Sequence, residues 1–288
     1  MHIPLRFPQR HTATCRPRGL RWRYLLCLAL LASILAGCGQ GESNGITVTG
    51  STSVSPFAEH LAEIYQHNHA GTAINIQSLG SSAGIQAATE GVAEIGMSSR
   101  NLKPEEADKL DQLIIARDAL AVIVNPNNPV AELNLSQVQD IFSGKAASWA
   151  AFGGPDQPID LVVREAGSGT FTAFEELVMK SKPITTAALR QGSNGAIRQV
   201  VAENPNAIGY ISLGIVDTSV KALAIDAVEP SVAHVEDGSY TFVRPFLFVW
   251  QKGHQLSPLA QQYVDYVMSA EGQQELQNLG LVKGPANE

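Results

Sequence analysis

Three times in this chain an apolar, strand-like run ends in a cluster of Gly, Ser and Thr and passes directly into a helix-like run. Ile46–Thr49 leads through Gly50-Ser51-Thr52-Ser53, Ile74–Leu79 through Gly80-Ser81-Ser82, and Asp160–Val163 through Arg164-Glu165-Ala166-Gly167-Ser168-Gly169-Thr170. A fourth cluster, Met97-Ser98-Ser99-Arg100, ends the strand-like run Glu94–Met97. Alternation of this kind is the signature of α/β architecture. Such loops offer backbone N–H groups, hydroxyls and a positive helix end to a small anion. Any one of them reads as a helix cap; four in one chain predict a site that wraps an oxyanion from several sides.

Further strands are expected at Leu120–Asn125, Ala207–Ile211, Ala222–Ile225 and Arg244–Trp250. Ser55 is the expected N-cap of the first helix, with Pro56 at its first position and Phe57, Leu61, Ile64 and Tyr65 at helical spacing. Thr170 is expected to cap a helix carrying Phe171, Phe174 and Leu177, and Ser136 one carrying Val138, Ile141 and Phe142. Ser257-Pro258 opens a C-terminal helix with Leu259, Tyr263, Val267 and Leu276 on its buried face. These apolar stripes read as core. Breaks near Arg117-Asp118-Ala119 and within Asp226–Ser239 predict two lobes, 46–118 plus 226–288 and 119–225, with the chain crossing over and back.

The first 37 residues are expected to be a signal peptide: six arginines and no acid, then an apolar stretch from Tyr24 to Ala36. That stretch is shorter than the roughly 20 residues a membrane span needs. Leu35-Ala36-Gly37-Cys38 resembles a bacterial lipobox, so Cys38 is expected to be diacylated, with 38–45 as a flexible tether on the extracytoplasmic side of a membrane. Cys15 and Cys27 fall within the signal, which leaves no pair for a disulfide and no cysteine nucleophile. Without the signal, 14 basic residues face 27 acidic ones, a charge of −13. That argues against nucleic acid. It also means that local dipoles and one or two placed cations must hold any anion.

An oxyanion taken out of water needs a partner for nearly every lone pair. Ser51, Thr52, Ser53, Ser81, Ser82, Ser99, Ser168, Gly169 and Thr170 supply hydroxyls and close backbone approach, and Arg164 supplies a forked guanidinium. These clusters, with Asp140-Ile141-Phe142-Ser143-Gly144, Trp149 and Asn206-Ala207-Ile208-Gly209-Tyr210-Ile211-Ser212, resemble in order the phosphate-binding proteins of bacterial ABC transporters. The resemblance runs from about residue 46 to the C-terminus. It implies a two-lobed, hinged periplasmic-binding-protein fold of type II-like form, each lobe a mixed sheet flanked by helices. It also implies a monomer without cofactor or metal that binds phosphate without chemistry and delivers it to a membrane permease. The family places carboxylates at the positions of Ala166 and Ser99 to accept the proton that phosphate keeps and sulfate lacks. Neither position is acidic here, so Ser99 and backbone carbonyls, or Glu165 swinging in, are expected to accept instead.

Other readings make different demands. Sulfate or molybdate could occupy the same loops, and a binding lipoprotein could have lost its ligand for an adhesive or signalling role. Gly80-Ser81-Ser82-Ala83-Gly84 also satisfies the nucleophile-elbow pattern, with Asp217 or Asp226 and His234 or His254 as triad partners for Ser82. His67-Asn68-His69 has the wrong spacing for a metal on one helical face, and no nucleotide-binding glycine motif is present.

Overall fold

The computed structural model describes residues 45–180 and 182–284. The expected signal peptide, Cys38 and the tether up to residue 44 lie outside the described residues. The first part of the chain alternates β1 (Gly45–Gly50), α1 (Ser55–Asn68), β2 (Ala73–Ser78), α2 (Ser81–Thr89) and β3 (Ile95–Ser98), followed by the short α3 (Pro104–Ala107) and β4 (Leu110–Val124). The middle comprises β5 (Glu132–Leu133), α4 (Leu135–Phe142), β6 (Asp160–Arg164), α5 (Gly169–Phe174), β7 (Leu189–Gln191), α6 (Asn194–Glu203), β8 (Ala207–Ser212), β9 (Lys221–Ala222), β10 (Ala224–Ile225) and α7 (Val232–Glu236). The chain closes with β11 (Val243–Gln251), α8 (Pro258–Met268), α9 (Ala270–Asn278) and β12 (Val282–Lys283).

One long strand joins the two halves. Leu110–Ala119 of β4 pairs antiparallel with β11, and Leu120–Val124 pairs antiparallel with β8. The sheet order is β2-β1-β3-β11-β4-β8-β6-β7, with β12 and β9 attached along β4. β1, β2 and β3 are parallel, as are β8, β6 and β7, so each half is a parallel α/β sheet with antiparallel strands toward the centre. Helices cover both faces. In the first half, Phe57, Leu61 and Tyr65 of α1 pack with Tyr263 and Val267 of α8 on one face, and Ile85 and Ala88 of α2 cover the other. In the second half, Phe142, Phe174 and Tyr210 build one core, and Ile197 and Val201 of α6 the opposite one.

Several expectations shift in position. The expected break at Arg117-Asp118-Ala119 is an unbroken strand, because Asp118 finds a buried cation on β11 and need not leave the sheet. Val235, Tyr240 and Phe242 belong to the second core. The first helix starts at Ser55 without a side-chain cap; the Ser55 hydroxyl donates to Ser51 O instead. Ser168, not Thr170, caps α5, accepting from Thr170 N and Phe171 N. Asn134, not Ser136, caps α4, in a reciprocal box with Gln137. Ser257 caps α8 as expected, but Ser269 ends that helix and caps α9, which carries Leu276.

Two glycines set how closely α2 approaches the sheet. A Cβ on Gly84 would stand 2.5 Å from both Gly50 Cα and Thr49 O, and Gly50 itself has φ +143°. Only hydrogen at these positions lets the N-terminus of α2 lie directly on β1 and β3, which carries Ser81 to the ends of both strands.

Candidate functional site

The four clusters meet where β1, β3 and β6 end. From the first half, the Ser51 hydroxyl donates to Ser99 Oγ at 2.9 Å and accepts from Ser53 N at 3.2 Å. Ser99 N donates to Ser81 Oγ at 3.1 Å, and the two hydroxyls lie 3.3 Å apart. Ser51, Ser53, Ser81, Ser98 and Ser99 are all buried. Ser51, Ser99 and Ser81 are thus linked through their hydroxyls within the first half.

The second half closes on it directly. Ser53 Oγ lies 2.7 Å from Thr170 Oγ1, and Ser82 N donates to Gly167 O at 3.1 Å. Gly169 faces Ser81 and Ser99 so closely that a Cβ there would come within 2.6 Å of Ser99 Oγ. Ser82 itself, like Glu165, Ala166 and Gly167, is exposed. The expected Ser51, Thr52, Ser53, Ser81, Ser99, Arg164, Ser168, Gly169 and Thr170 are thus gathered between the halves, while the Ser82 side chain lies at their rim.

Arg164 ends β6 and is only 1% exposed. Its backbone N–H faces the Tyr210 hydroxyl at 3.4 Å, and Tyr210 stacks flat on Phe174 at 3.7 Å. The guanidinium donates from Nε to Gln191 O at 3.2 Å and from Nη2 to Gly192 O at 2.8 Å, while Nη1 has no protein partner. Burial, followed by the nearby positive charge of Arg244, lowers its pKa from the usual guanidinium range to about 10.

Four residues join the cluster that the sequence reading did not place there. Arg244, on β11, donates from Nε and Nη2 to Asp118 Oδ2 at 2.9 Å each, and from Nη1 to Thr170 Oγ1 at 2.7 Å. Ser212 Oγ donates to the other Asp118 oxygen at 2.7 Å. Burial pushes the Asp118 carboxyl above its usual range and the Arg244 guanidinium below its own; the bonds between them oppose both shifts. Asn194, the first residue of α6, donates from Nδ2 to Ser53 Oγ at 2.6 Å, and its Oδ1 has no protein donor. A charged residue inside a buried strand calls for a partner, so Arg244 within Phe242–Trp250 and Asp118 within Ala116–Val124 were findable as a pair. Asn194 in Gly192-Ser193-Asn194-Gly195 looks like any turn.

Among the described residues, five buried side-chain polar atoms lack a protein partner, and three of them belong to this cluster: Thr52 Oγ1, Arg164 Nη1 and Asn194 Oδ1. Buried polar groups are paired as a rule, so this concentration marks the place where the protein's own hydrogen bonding is incomplete. Larger spaces lie elsewhere. A cavity of about 410 Å³ lined by Ile46, Ala93, Trp250 and His254 sits at the opposite end of β1.

The alternative constellation does not assemble. Among the described residues, Asp217 bonds Ser219 and Arg198, Asp226 accepts from Leu135 N, and His234 Nδ1 faces Glu229 O; none bonds Ser82. No group of three His, Cys, Asp or Glu residues among those described could hold a metal. No helix among them is long and apolar enough to cross a membrane. The Asp140–Gly144 and Asn206–Ser212 motifs serve the second core: Phe142 packs edge-on to Phe174, and Trp149 Nε1 donates to Asn206 O at 2.9 Å.

Comparison with known proteins gives four matches. A family model described as "PBP superfamily domain" matches residues 37–271. A substrate-binding protein from Clostridium perfringens, assigned to a phosphate ABC transporter and solved with bound phosphate, is 43% identical. It superposes with a TM-score of 0.80 over 83% of this chain and 99% of its own. An ABC-type phosphate transport receptor from Vibrio cholerae is 35% identical, with a TM-score of 0.70 over 83% of this chain and all of its own. The phosphate-binding protein PstS of Staphylococcus epidermidis is 30% identical over 92% of this chain and 90% of its own length.

Proposed function

The chain belongs to the PBP superfamily, and on that premise we propose that it captures inorganic phosphate between its two halves and delivers it to an ABC transporter permease. The observation that carries this reading is Arg164: a buried guanidinium with one unpaired Nη1, beside hydroxyls drawn from both halves. Such a group stabilises a desolvated oxyanion by a charge-assisted hydrogen bond. Thr52, Ser53, Ser81, Ser168, Gly169 and Thr170 are the proposed hydrogen-bonding shell, with Ser51 and Ser99 behind it. The phosphate named in the relatives' descriptions supports that ligand over sulfate or molybdate.

In this reading the protein binds without chemistry. Contacts such as Ser53–Thr170 and Ser82–Gly167 exist only when both halves meet, so an anion that both halves touch shifts the population toward closure. The site residues, the lobes pivoting near Asp118 and Phe242, the monomeric state, and extracytoplasmic anchoring through a lipid on Cys38 are parts of the same proposal. Calorimetry with phosphate, sulfate and molybdate tests the core of it. Tight phosphate binding is expected, and no heat with any of the three would overturn the reading.

A further inference from the structure

Monohydrogen phosphate differs from sulfate of equal charge by one hydrogen, and a site tells them apart only by offering that hydrogen an acceptor. The positions that would supply a carboxylate in the resembling family are Ser99 and Ala166 here. The Ser99 hydroxyl is engaged with Ser51 and Ser81, while Ala166 and Glu165 are exposed. The acceptor must come from elsewhere in the cluster.

The direction of the hydrogen bonds identifies it. Arg244 can only donate, so Thr170 Oγ1 accepts from it, and the Thr170 hydroxyl shares a 2.7 Å hydrogen bond with Ser53 Oγ. Asn194 Nδ2 donates to the same oxygen. The unpaired groups are then Arg164 Nη1, a donor; the Thr52 hydroxyl, which can do either; and Asn194 Oδ1, which can only accept. Asn194 is 1% exposed, and two residues before it lies Gly192, whose carbonyl holds Arg164. One turn therefore fixes both the cation and the acceptor.

We propose that Asn194 Oδ1 accepts the hydrogen of monohydrogen phosphate and is the specificity-determining group of the site. This rests on the phosphate-binding reading above. A neutral amide oxygen welcomes a P–O–H group and opposes the bare oxygen of sulfate without adding a second negative charge beside the anion.

The test is calorimetry at mildly alkaline pH with phosphate, arsenate and sulfate, on the wild-type protein and on Asn194→Ala and Asn194→Asp. In Asn194→Ala, phosphate and arsenate affinity should fall about tenfold, equivalent to about 1.4 kcal/mol, with sulfate unchanged or stronger. Asn194→Asp keeps an acceptor and should keep the preference for the protonated anions; it also tests the idea if the alanine variant does not fold. Equal losses for phosphate and sulfate in Asn194→Ala would overturn the assignment, since the amide would then act as a general donor. So would an unchanged affinity ratio, or a reversed preference in Asn194→Asp. Those results leave wild-type phosphate binding intact, whereas a wild-type protein that binds none of the anions overturns the underlying reading as well.

Discussion

Replacing Arg164 by methionine should separate ligand affinity from stability. Methionine keeps an unbranched, apolar side chain of similar reach and removes the charge. The guanidinium now sits at a pKa of about 10, well below that of a free guanidinium, chiefly because of burial. At about 1.4 kcal/mol per tenfold, that environment is roughly 3 kcal/mol less favourable to the charge than water. The unfolded chain holds this proton more tightly than the folded one. The cost therefore operates in full below about pH 10 and disappears as pH rises from there toward the ordinary guanidinium pKa of the unfolded chain. An oxyanion on Nη1 supplies the countercharge that the fold omits. Removing one partner of such a buried pair costs about 3 kcal/mol or more, so phosphate affinity should fall at least about a hundredfold. Ligand-free stability should move little, because the relieved burial cost offsets the donors lost by Gln191 O and Gly192 O. Titration calorimetry gives the affinity, and scanning calorimetry with and without phosphate gives the stability. A phosphate affinity within about threefold of wild type, under 1 kcal/mol, would refute the argument. In the wild type, affinity should also decline above about pH 10 as the guanidinium loses its proton.

Three further outcomes are expected. Gly169→Ala places a Cβ against Ser81 and Ser99, so the halves cannot close fully; phosphate affinity should drop by about tenfold or more, and small-angle scattering should show less compaction on ligand addition. Asp118→Asn leaves the Arg244 charge buried without a counterion. A loss of about 3 kcal/mol follows, seen as a melting temperature lower by roughly 5–10 °C, and the double variant Asp118→Asn/Arg244→Met should regain most of it. Glu106 accepts from both Arg100 Nη1 and Nη2 at 2.7 and 2.8 Å; burial pushes its carboxyl up, but these bonds and that from Lys103 N outweigh it and hold the pKa below 4.5. Its stabilisation is therefore present above pH 4.5 and lost as pH falls through the lowered value, so Glu106→Gln should lower stability at neutral pH and flatten its decline in acid, as followed by denaturant titration at several pH values.

The strand–loop–helix rhythm was legible because each apolar run announces itself at short range, and the hydroxyl clusters sit at fixed offsets from those runs. Thr52, Ser53, Ser81 and Arg164 stood out for that reason, and the fold brings them close together. What escaped notice depends on pairing across long separations. Asp118 looked like a break because a lone acid among alanines resembles a turn, and only Arg244, far along the chain, makes it compatible with a strand. The caps at Ser168 and Asn134 lay two residues from where Thr170 and Ser136 were expected, since Ser, Thr and Asn all suit that role and neighbouring candidates compete. Asn194 gave no signal at all: its importance lies in which hydroxyl it reaches, and that hydroxyl belongs to the other half of the molecule.

The placement of β11 between β3 and β4 bears on how such a chain is made. Both flanking strands are complete by residue 124, yet their shared neighbour begins only at Val243. Until that segment emerges, β3 and β4 present open edges, and the first half has no finished sheet. Contacts so distant in sequence form slowly, and incomplete chains with open edges are prone to associate with one another. The first half can complete its sheet only once the segment from Val243 is available. Truncation anywhere before Val243 should therefore yield aggregates in place of a smaller folded protein.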